Sequence, residues 1–320
     1  MRKPIISVVM PVYNSGKLIH QTIESILNQT YSNFEFIIIN DASKDNTLKT
    51  IKEYQKKDKR IKIINNSINL GISLASNKGL DAANGKYIAM MDHDDISLPT
   101  RFEDQINYLE KHKDVFLVGT GNYYIDENNK IITRIKTITN INKIKKDMIN
   151  GTNRICHPSI MFRNKTKIRY REKIFYAQDV DFFLQLLADG EKLTNIKDIL
   201  FHYRVHNTQT SMEKRNKQLL FAKKAAQFYK EKIKIGKDSY NKFNPDEIFK
   251  LNAETSNDKD VIASEIFYNF HKQDYKNVIK YSKKYFKLFG YKDRVVIYCL
   301  ISHMPKKIIQ AVLKFKRRFI

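Results

Sequence analysis

The sequence predicts an α/β fold with a mostly parallel central sheet and a helical C-terminal extension. Three observations carry this reading. Through roughly the first 120 of 320 residues, apolar β-branched runs alternate with segments of helical period. The strand-like runs end in polar loops, two of them acidic. From about Ser211 onward the alternation is gone, and lysine-rich segments of helical spacing replace it.

The elements follow in order. Ile5–Val12 reads as a buried strand, and Leu18, Ile19, Thr22, Ile23, Ile26 and Leu27 then recur at helical spacing. Phe34–Ile39 is a second buried strand, Thr47–Lys57 a helix, Ile61–Ile64 a strand, Ile72–Ala83 a helix and Lys86–Met91 a strand. Pro99 opens a helix that runs to His112, since the first turn does not need its missing N–H. Val115–Val118 is another strand. Such a repeat implies a parallel sheet with right-handed crossovers. Ligands of such sheets lie beyond the carboxyl ends of the strands. Here those ends are Tyr13-Asn14, Asn40-Asp41, the loop from Asn65 to Gly71, and Asp92–Asp95.

After Val118 the alternation stops. Asp126-Glu127-Asn128-Asn129 reads as a hairpin turn, Ser159–Phe162 as a strand and Phe182–Leu187 as helical. Further helices are expected at Lys223–Lys234, Val261–His271, Tyr275–Phe289 and Lys306–Phe319, with Gly290 closing the third. A domain boundary is expected near Thr210, giving domains 1–210 and 211–320.

Composition narrows the class. Hydrophobic content of 42% with 29% charged residues is globular. Cys156 and Cys299 lie far apart without metal-ligand spacing, which points to a reducing, cytoplasmic compartment. The apolar run after Arg2 and Lys3 is cut by Pro11 and is too short for a signal peptide. No stretch approaches a membrane span. The net charge of +24 fits an anionic partner or a compositional drift toward lysine. No nucleic-acid-binding motif accompanies it, so a nucleic-acid partner is not expected.

Met90-Met91-Asp92-His93-Asp94-Asp95 is the most informative stretch. An Asp-x-Asp turn at a strand end offers hard oxygens that hold Mg²⁺ or Mn²⁺ against a diphosphate. The plainer alternative is a solvated acidic turn with Asp95 or Ser97 capping the next helix. Familiar phosphate loops are missing. There is no Gly-x-x-x-x-Gly-Lys-Ser/Thr, and Gly119-Thr120-Gly121 lacks a third glycine and a following helix. Lys78 and Arg101 are candidates for a phosphate contact but read rather as surface charge.

Taken in order, the motifs resemble a known family. Ile6-Ser7-Val8-Val9-Met10-Pro11-Val12-Tyr13-Asn14 resembles the opening strand and nucleotide loop of the inverting glycosyltransferases of family 2. Ile38-Ile39-Asn40-Asp41-Ala42-Ser43-Lys44-Asp45-Asn46-Thr47 resembles their second acidic loop. Asn69-Leu70-Gly71-Ile72-Ser73 through Asn77, then Gly85-Lys86-Tyr87-Ile88-Ala89-Met90-Met91-Asp92-His93-Asp94-Asp95, resembles the stretch ending in the metal motif. His157-Pro158-Ser159-Ile160-Met161-Phe162-Arg163, Gln178-Asp179-Val180-Asp181 and Tyr203-Arg204-Val205-His206 resemble acceptor-side elements. The likeness covers roughly residues 4–210.

The resemblance implies the GT-A fold, with 1–118 as the nucleotide-binding half and 119–210 as the acceptor-binding half. By similarity Pro11 and Tyr13 line the base, and Asp41 hydrogen-bonds it, commonly a uracil. Asn14, Asn69, Gly71, Asn77 and His93 join them on the nucleotide-sugar side. Asp92 faces the ribose or the metal, Asp94 is the expected metal ligand, and His206 is a further ligand or diphosphate contact. Asp179 matches the catalytic base, with Asp181 as the other carboxylate that could serve. His157, Gln178, Asp181 and Arg204 fall on the acceptor or diphosphate side. The family usually carries Glu where Gln178 stands.

The expected reaction moves a sugar from a nucleoside-diphosphate donor, a UDP-sugar, to a hydroxyl of a glycan or lipid-linked saccharide of the bacterial cell surface. Mn²⁺ or Mg²⁺ is the implied cofactor. A catalytically inactive scaffold relative is the alternative. In Lys306–Ile320, Ile308, Val312, Phe315 and Phe319 share one helical face flanked by basic residues. That pattern suits peripheral contact with an anionic inner membrane face, or docking on the catalytic domain.

Overall fold

The computed structural model describes residues 5–165, 167–205, 215–291 and 295–305. The chain divides into two compact units. One comprises Met1–Glu172 with Gln178–His206, the other Lys173–Ala177 with Asn207–Ile320.

The first unit opens with the expected alternation: β1 (Ile6–Val12), α1 (Leu18–Leu27), β2 (Phe34–Asn40), α2 (Thr47–Lys57), β3 (Ile61–Asn65), α3 (Ile72–Ala82) and β4 (Tyr87–Met90). Then come β5 (Ile96–Ser97), α4 (Arg101–Lys111), β6 (Val115–Ile125), β7 (Ile131–Arg134), α5 (Ile141–Ile149), β8 (Met161–Arg163), α6 (Gln178–Ala188) and β9 (Lys192–Arg204). The strands form one sheet in the order β3-β2-β1-β4-β8-β6-β9-β5, with β7 paired to β6. β3, β2, β1 and β4 run parallel, as do β6 and β9, whereas β8 is antiparallel to both β4 and β6.

All seven residues of β1 and of β2 are buried, as a sheet covered on both faces requires. Register places Val12 beside Asn40, Asn40 beside Asn65, and Val9 beside Met90. The loops after β1, β2, β3 and β4 therefore leave one edge together. Gly85 enables β4 to lie close to β1: a Cβ there would meet the Ser7 backbone nitrogen at 2.5 Å.

Several elements depart from the sequence reading. β6 does not end at Val118 but continues through Gly119-Thr120-Gly121 to Ile125, held by β9. β9 and α5 carry no clear period in the sequence and go unexpected there. α4 begins at Arg101 with Thr100 at its N-cap, so Pro99 lies just outside the helix. The Asp126–Asn129 turn does close a hairpin, with Asp126 N–H donating to Lys130 O and Asn129 at φ 66°.

In the second unit the helices are Arg215–Ile235, Asp246–Phe249, Lys259–His271, Tyr275–Phe289 and Val295–Ser302. Asp258 and Asp274 cap the third and fourth, and Gly290 closes the fourth at φ 75°. Its aromatic core includes Phe221, Phe228 and Phe243. Phe175 joins this unit, its ring 5.9 Å from Phe221 and 5.3 Å from Phe249. Among the described residues no helix is long and apolar enough to cross a membrane. The Lys306–Phe319 segment lies outside the described residues.

Candidate active site

The four strand-end loops interlock. After β1, Pro11 is buried in the strand while Tyr13 is 41% exposed at the edge. Asn14 adopts φ 48°, a conformation Asn tolerates better than most residues. Its backbone N–H donates to Ser43 Oγ at 3.0 Å, and its Oδ1 accepts from Lys44 N–H at 2.8 Å. Ser15 Oγ donates to the His93 carbonyl at 3.1 Å and pairs with His93 Nδ1 at 3.0 Å. Asn14 and His93 thus help to fix the loops that surround the site.

Asp41 is buried, and the Asn66–Gly71 loop converges on it. Leu70 N–H and Asn66 Nδ2 donate to Oδ1 at 2.9 and 2.8 Å, and Gly71 N–H donates to Oδ2 at 2.8 Å. Asn69 Nδ2 donates to the Asp41 carbonyl at 3.2 Å. Gly71, at φ 82°, turns the chain into α3 in a conformation that favours glycine. Asp41 therefore organises the loop that carries Asn69 and Gly71.

The acidic loop follows β4. Burial raises the Asp92 carboxyl to about 8, with the charges of Asp94 and Asp179 adding to the effect. Asp95 does not cap a helix, and neither does Ser97, which pairs in β5. Asp95 Oδ1 accepts the backbone N–H of Arg204 at 2.7 Å, and its Oδ2 is buried with no hydrogen-bond partner among the described residues. Burial, then Asp94 and Asp92, push its proton affinity well up.

Arg204 is fully buried behind this loop. Its Nε donates to Asp94 O at 2.6 Å, Nη1 to Asp126 O at 2.8 Å and Nη2 to Gln21 Oε1 at 3.0 Å. Arg204, expected on the acceptor or diphosphate side, supports the loop through these bonds. Arg101 is buried too, contrary to the surface reading. Its Nη2 donates to Met90 O and Ile160 O, and burial lowers it to about 9.

Asp179 sits in the first turn of α6, where the helix N-terminus favours a carboxylate. Its charge bears on Asp92, His157 and Tyr170. Asp179 is thus within electrostatic reach of the acidic loop despite their distance in sequence. His157 Nε2 pairs with the Tyr170 hydroxyl at 2.7 Å. Burial lowers the proton affinity of His157, against an opposing pull from Asp179. Asn77 clasps the Tyr170 backbone both ways: Nδ2 donates to Tyr170 O and Oδ1 accepts Tyr170 N–H, each at 2.9 Å. Gln178 Oε1 is buried without a hydrogen-bond partner among the described residues.

Asp181, the other carboxylate expected on the acceptor side, is buried, 3.7 Å from Arg171 Nε, and accepts Gln185 Nε2 at 2.9 Å. Those partners, one before α6 and one within it, tie it into the packing around that helix. His206 lies outside the described residues. Sequence reasoning missed Tyr170, Ser15 and Asn153, which touch the named residues from loops with no periodic signal.

Among the described residues no three His, Cys, Asp or Glu side chains group to hold a metal ion. That does not argue against a cation here, because Mg²⁺ is ordinarily held by one or two carboxylates and completed by substrate phosphates. Asp92 and Asp94 fit that donor set: two hard-oxygen ligands whose mutual repulsion a cation relieves.

The comparisons with known proteins bear on the family and the fold. The family model described as Glycosyl transferase family 2 matches residues 7–170. An uncharacterized glycosyltransferase of Methanocaldococcus jannaschii is 40% identical over 226 residues, 69% of this chain and 78% of that one. The UDP-Glc:alpha-D-GlcNAc-diphosphoundecaprenol beta-1,3-glucosyltransferase of Escherichia coli is 34% identical over 213 residues, 66% of this chain and 81% of its own. Among solved structures, a mannosyltransferase of Pyrobaculum calidifontis in complex with GDP-Man and Mn²⁺ aligns with a TM-score of 0.56. It is 14% identical and the match covers 98% of this chain and 88% of that one, a likeness of fold. The fold is of the GT-A type.

Proposed function

The chain belongs to glycosyl transferase family 2, and from that premise we propose that it moves a sugar from a UDP-sugar to a hydroxyl of a lipid-linked or growing surface glycan. The observation that supports the reading is that Asp179, in the first turn of α6, lies within electrostatic reach of Asp92 in the loop after β4. Transfer needs two acidic stations, one at the leaving diphosphate and one at the attacking hydroxyl, and Asp92 and Asp179 would serve as that pair.

A sugar hydroxyl is a weak nucleophile, so attack requires a base aimed at its proton. Asp179 takes that proton as the acceptor oxygen bonds to the anomeric carbon. The bond from that carbon to the diphosphate breaks, and the nucleoside diphosphate leaves with the electron pair. One displacement inverts the anomeric configuration. Mn²⁺ or Mg²⁺ held by Asp92 and Asp94 would neutralise charge developing on the diphosphate. Tyr13 offers an exposed ring for the base, and Asp41 shapes the loop beside it.

The E. coli relative supports a uridine donor and a lipid-linked acceptor, because its name specifies both. Such acceptors reside at a membrane, which gives the basic Lys306–Ile320 segment a purpose at an anionic surface. Cytoplasmic placement at the inner membrane face follows from that reading.

Metal-dependent UDP release tests the function. Wild-type protein with Mn²⁺ is expected to release UDP slowly from a UDP-sugar, and Asp94→Ala to stop it. Asp179→Asn should keep donor binding, read by thermal shift, while losing turnover. Undiminished turnover in Asp179→Asn would exclude it as the base.

A further inference from the structure

A hydrogen bond that no motif signals reaches the candidate base. Asn153 Nδ2 donates to Asp179 Oδ2 at 3.1 Å. The amide has a defined orientation: its Oδ1 accepts the Ile155 backbone N–H at 3.0 Å, so the amino group faces the carboxylate. Both neighbours are pinned. Thr152 N–H donates to Asp147 O at 2.8 Å. Arg154 Nε donates to Asp147 Oδ2 at 2.8 Å, and its carbonyl accepts Asn195 Nδ2 at 3.0 Å. Asp179 accepts no other side-chain hydrogen bond among the described residues.

We propose that Asn153 is a positioning residue for acceptor activation, fixing Oδ2 of Asp179 and leaving Oδ1 to take the acceptor proton. This rests on Asp179 being the base. The torsion that turns a carboxylate is broad and twofold, so an aspartate held only at Cβ presents its oxygens over a wide arc. One N–H donor selects a plane. A base works only when its lone pair lies within hydrogen-bond reach of the proton. Asn153 comes from the segment after α5 and Asp179 from the start of α6, so the bond ties two separate pieces of chain at the point of chemistry.

The competing explanation is that Asn153 merely builds its own turn with Ile155. Aspartate at 153 separates the two. It accepts the Ile155 N–H as asparagine does and serves such a turn equally well. It has no donor for Asp179, however, and sets a second carboxylate oxygen against Oδ2.

The full-length chain is assayed with Mn²⁺ for UDP release, water serving as acceptor, from UDP-glucose, UDP-N-acetylglucosamine and UDP-galactose. Asn153→Ala is expected to lower kcat about three- to tenfold with KM for the donor unchanged, and Asn153→Asp to lower it about tenfold further. Thermal unfolding should place Asn153→Asp beside wild type. If Asn153→Asp turns over as fast as wild type, or faster than Asn153→Ala, the proposal is overturned. That outcome with an inactive Asp179→Asn removes only the part assigned to Asn153. An active Asp179→Asn removes the base reading instead. Failure of wild type to release UDP from any of the three donors removes both.

Discussion

Arg204 Nε donates to the backbone carbonyl of Asp94 at 2.6 Å, while the Arg204 backbone N–H holds Asp95 Oδ1 at 2.7 Å. The last residue of β9 therefore shapes the loop that offers Asp92 and Asp94. Methionine at 204 would keep much of the stem volume and leave buried carbonyls without donors, at about 1–3 kcal/mol each. Arg204→Met is expected to lower Tm by several degrees and raise the Mn²⁺ concentration for half-maximal turnover at least about tenfold. Lysine should recover less than half of the loss, because it lacks the guanidinium fork. An unchanged Mn²⁺ requirement would show that the loop holds its shape without Arg204.

Metal binding should depend on pH through Asp92. Its carboxyl is raised to about 8 by burial and by Asp94 and Asp179, so below that pH a cation must displace a proton. Apparent Mn²⁺ affinity should rise toward pH 8, by at most about tenfold per unit, and then level off. The sign for stability follows. The unfolded carboxyl ionises near 4, so the ion-free fold loses stability as pH rises from there toward 8. Mn²⁺ offsets that loss. Thermal unfolding with and without Mn²⁺ from pH 6 to 9 reads both effects, and a Mn²⁺-induced shift that shrinks between pH 6 and 8 contradicts them.

His157 predicts the opposite slope in acid. Burial holds its proton affinity below the ordinary imidazole range, so the unfolded chain binds a proton first as pH falls. The fold keeps this stability above about 6.5 and loses it as pH drops toward the lower folded value. Urea unfolding at pH 7 and 5.5 should show a larger loss for wild type than for His157→Gln. Equal losses would mean that His157 does not carry the acid sensitivity.

Asp41→Ala removes the acceptor on which Leu70, Gly71 and Asn66 converge. A destabilisation of about 2–3 kcal/mol is expected, with faster hydrogen exchange between Asn66 and Gly71 and weaker donor binding. Unaltered exchange there would show the loop to be self-supporting.

Asp179→Asn and Asp181→Asn should fail in different ways. Asp181 is buried with Arg171 and Gln185, so its loss should lower Tm while turnover per folded molecule stays within about threefold. Asp179 stands part-exposed in the first turn, so its loss should stop turnover with little change in Tm. A reversal of these two phenotypes would reassign the base.

Much of the first half of the fold was legible because the parallel strands are rich in β-branched and aromatic residues, broken only by single polar ones such as Ser7, Glu35 and Lys62, and the covering helices show an apolar face. β9 was not: Lys192-Leu193-Thr194-Asn195-Ile196-Lys197-Asp198 mixes charge and amide into a strand whose pairing with β6 shifts register. α5 hides for a similar reason, burying only Ile144 and Met148 in a lysine-rich stretch. The acidic loop was legible as chemistry, since three carboxylates in four positions need a reason. Which carboxylate serves which role was not, because Asp95 and Asp181 are distinguished by what packs on them. The link from Asn153 to Asp179 joins a turn to a helix start, and no periodicity in either segment announces it.

Residues Lys173–Ala177 belong with Asn207–Ile320, yet Gln178 and Asp179 follow them directly in the other unit. The chain crosses between its two units three times. The C-terminal region is consequently not an interchangeable cassette. A graft taken at residue 207 alone would give Phe175 a foreign set of aromatic neighbours, four residues ahead of the candidate base. A functional exchange would have to carry the short segment and the long one together.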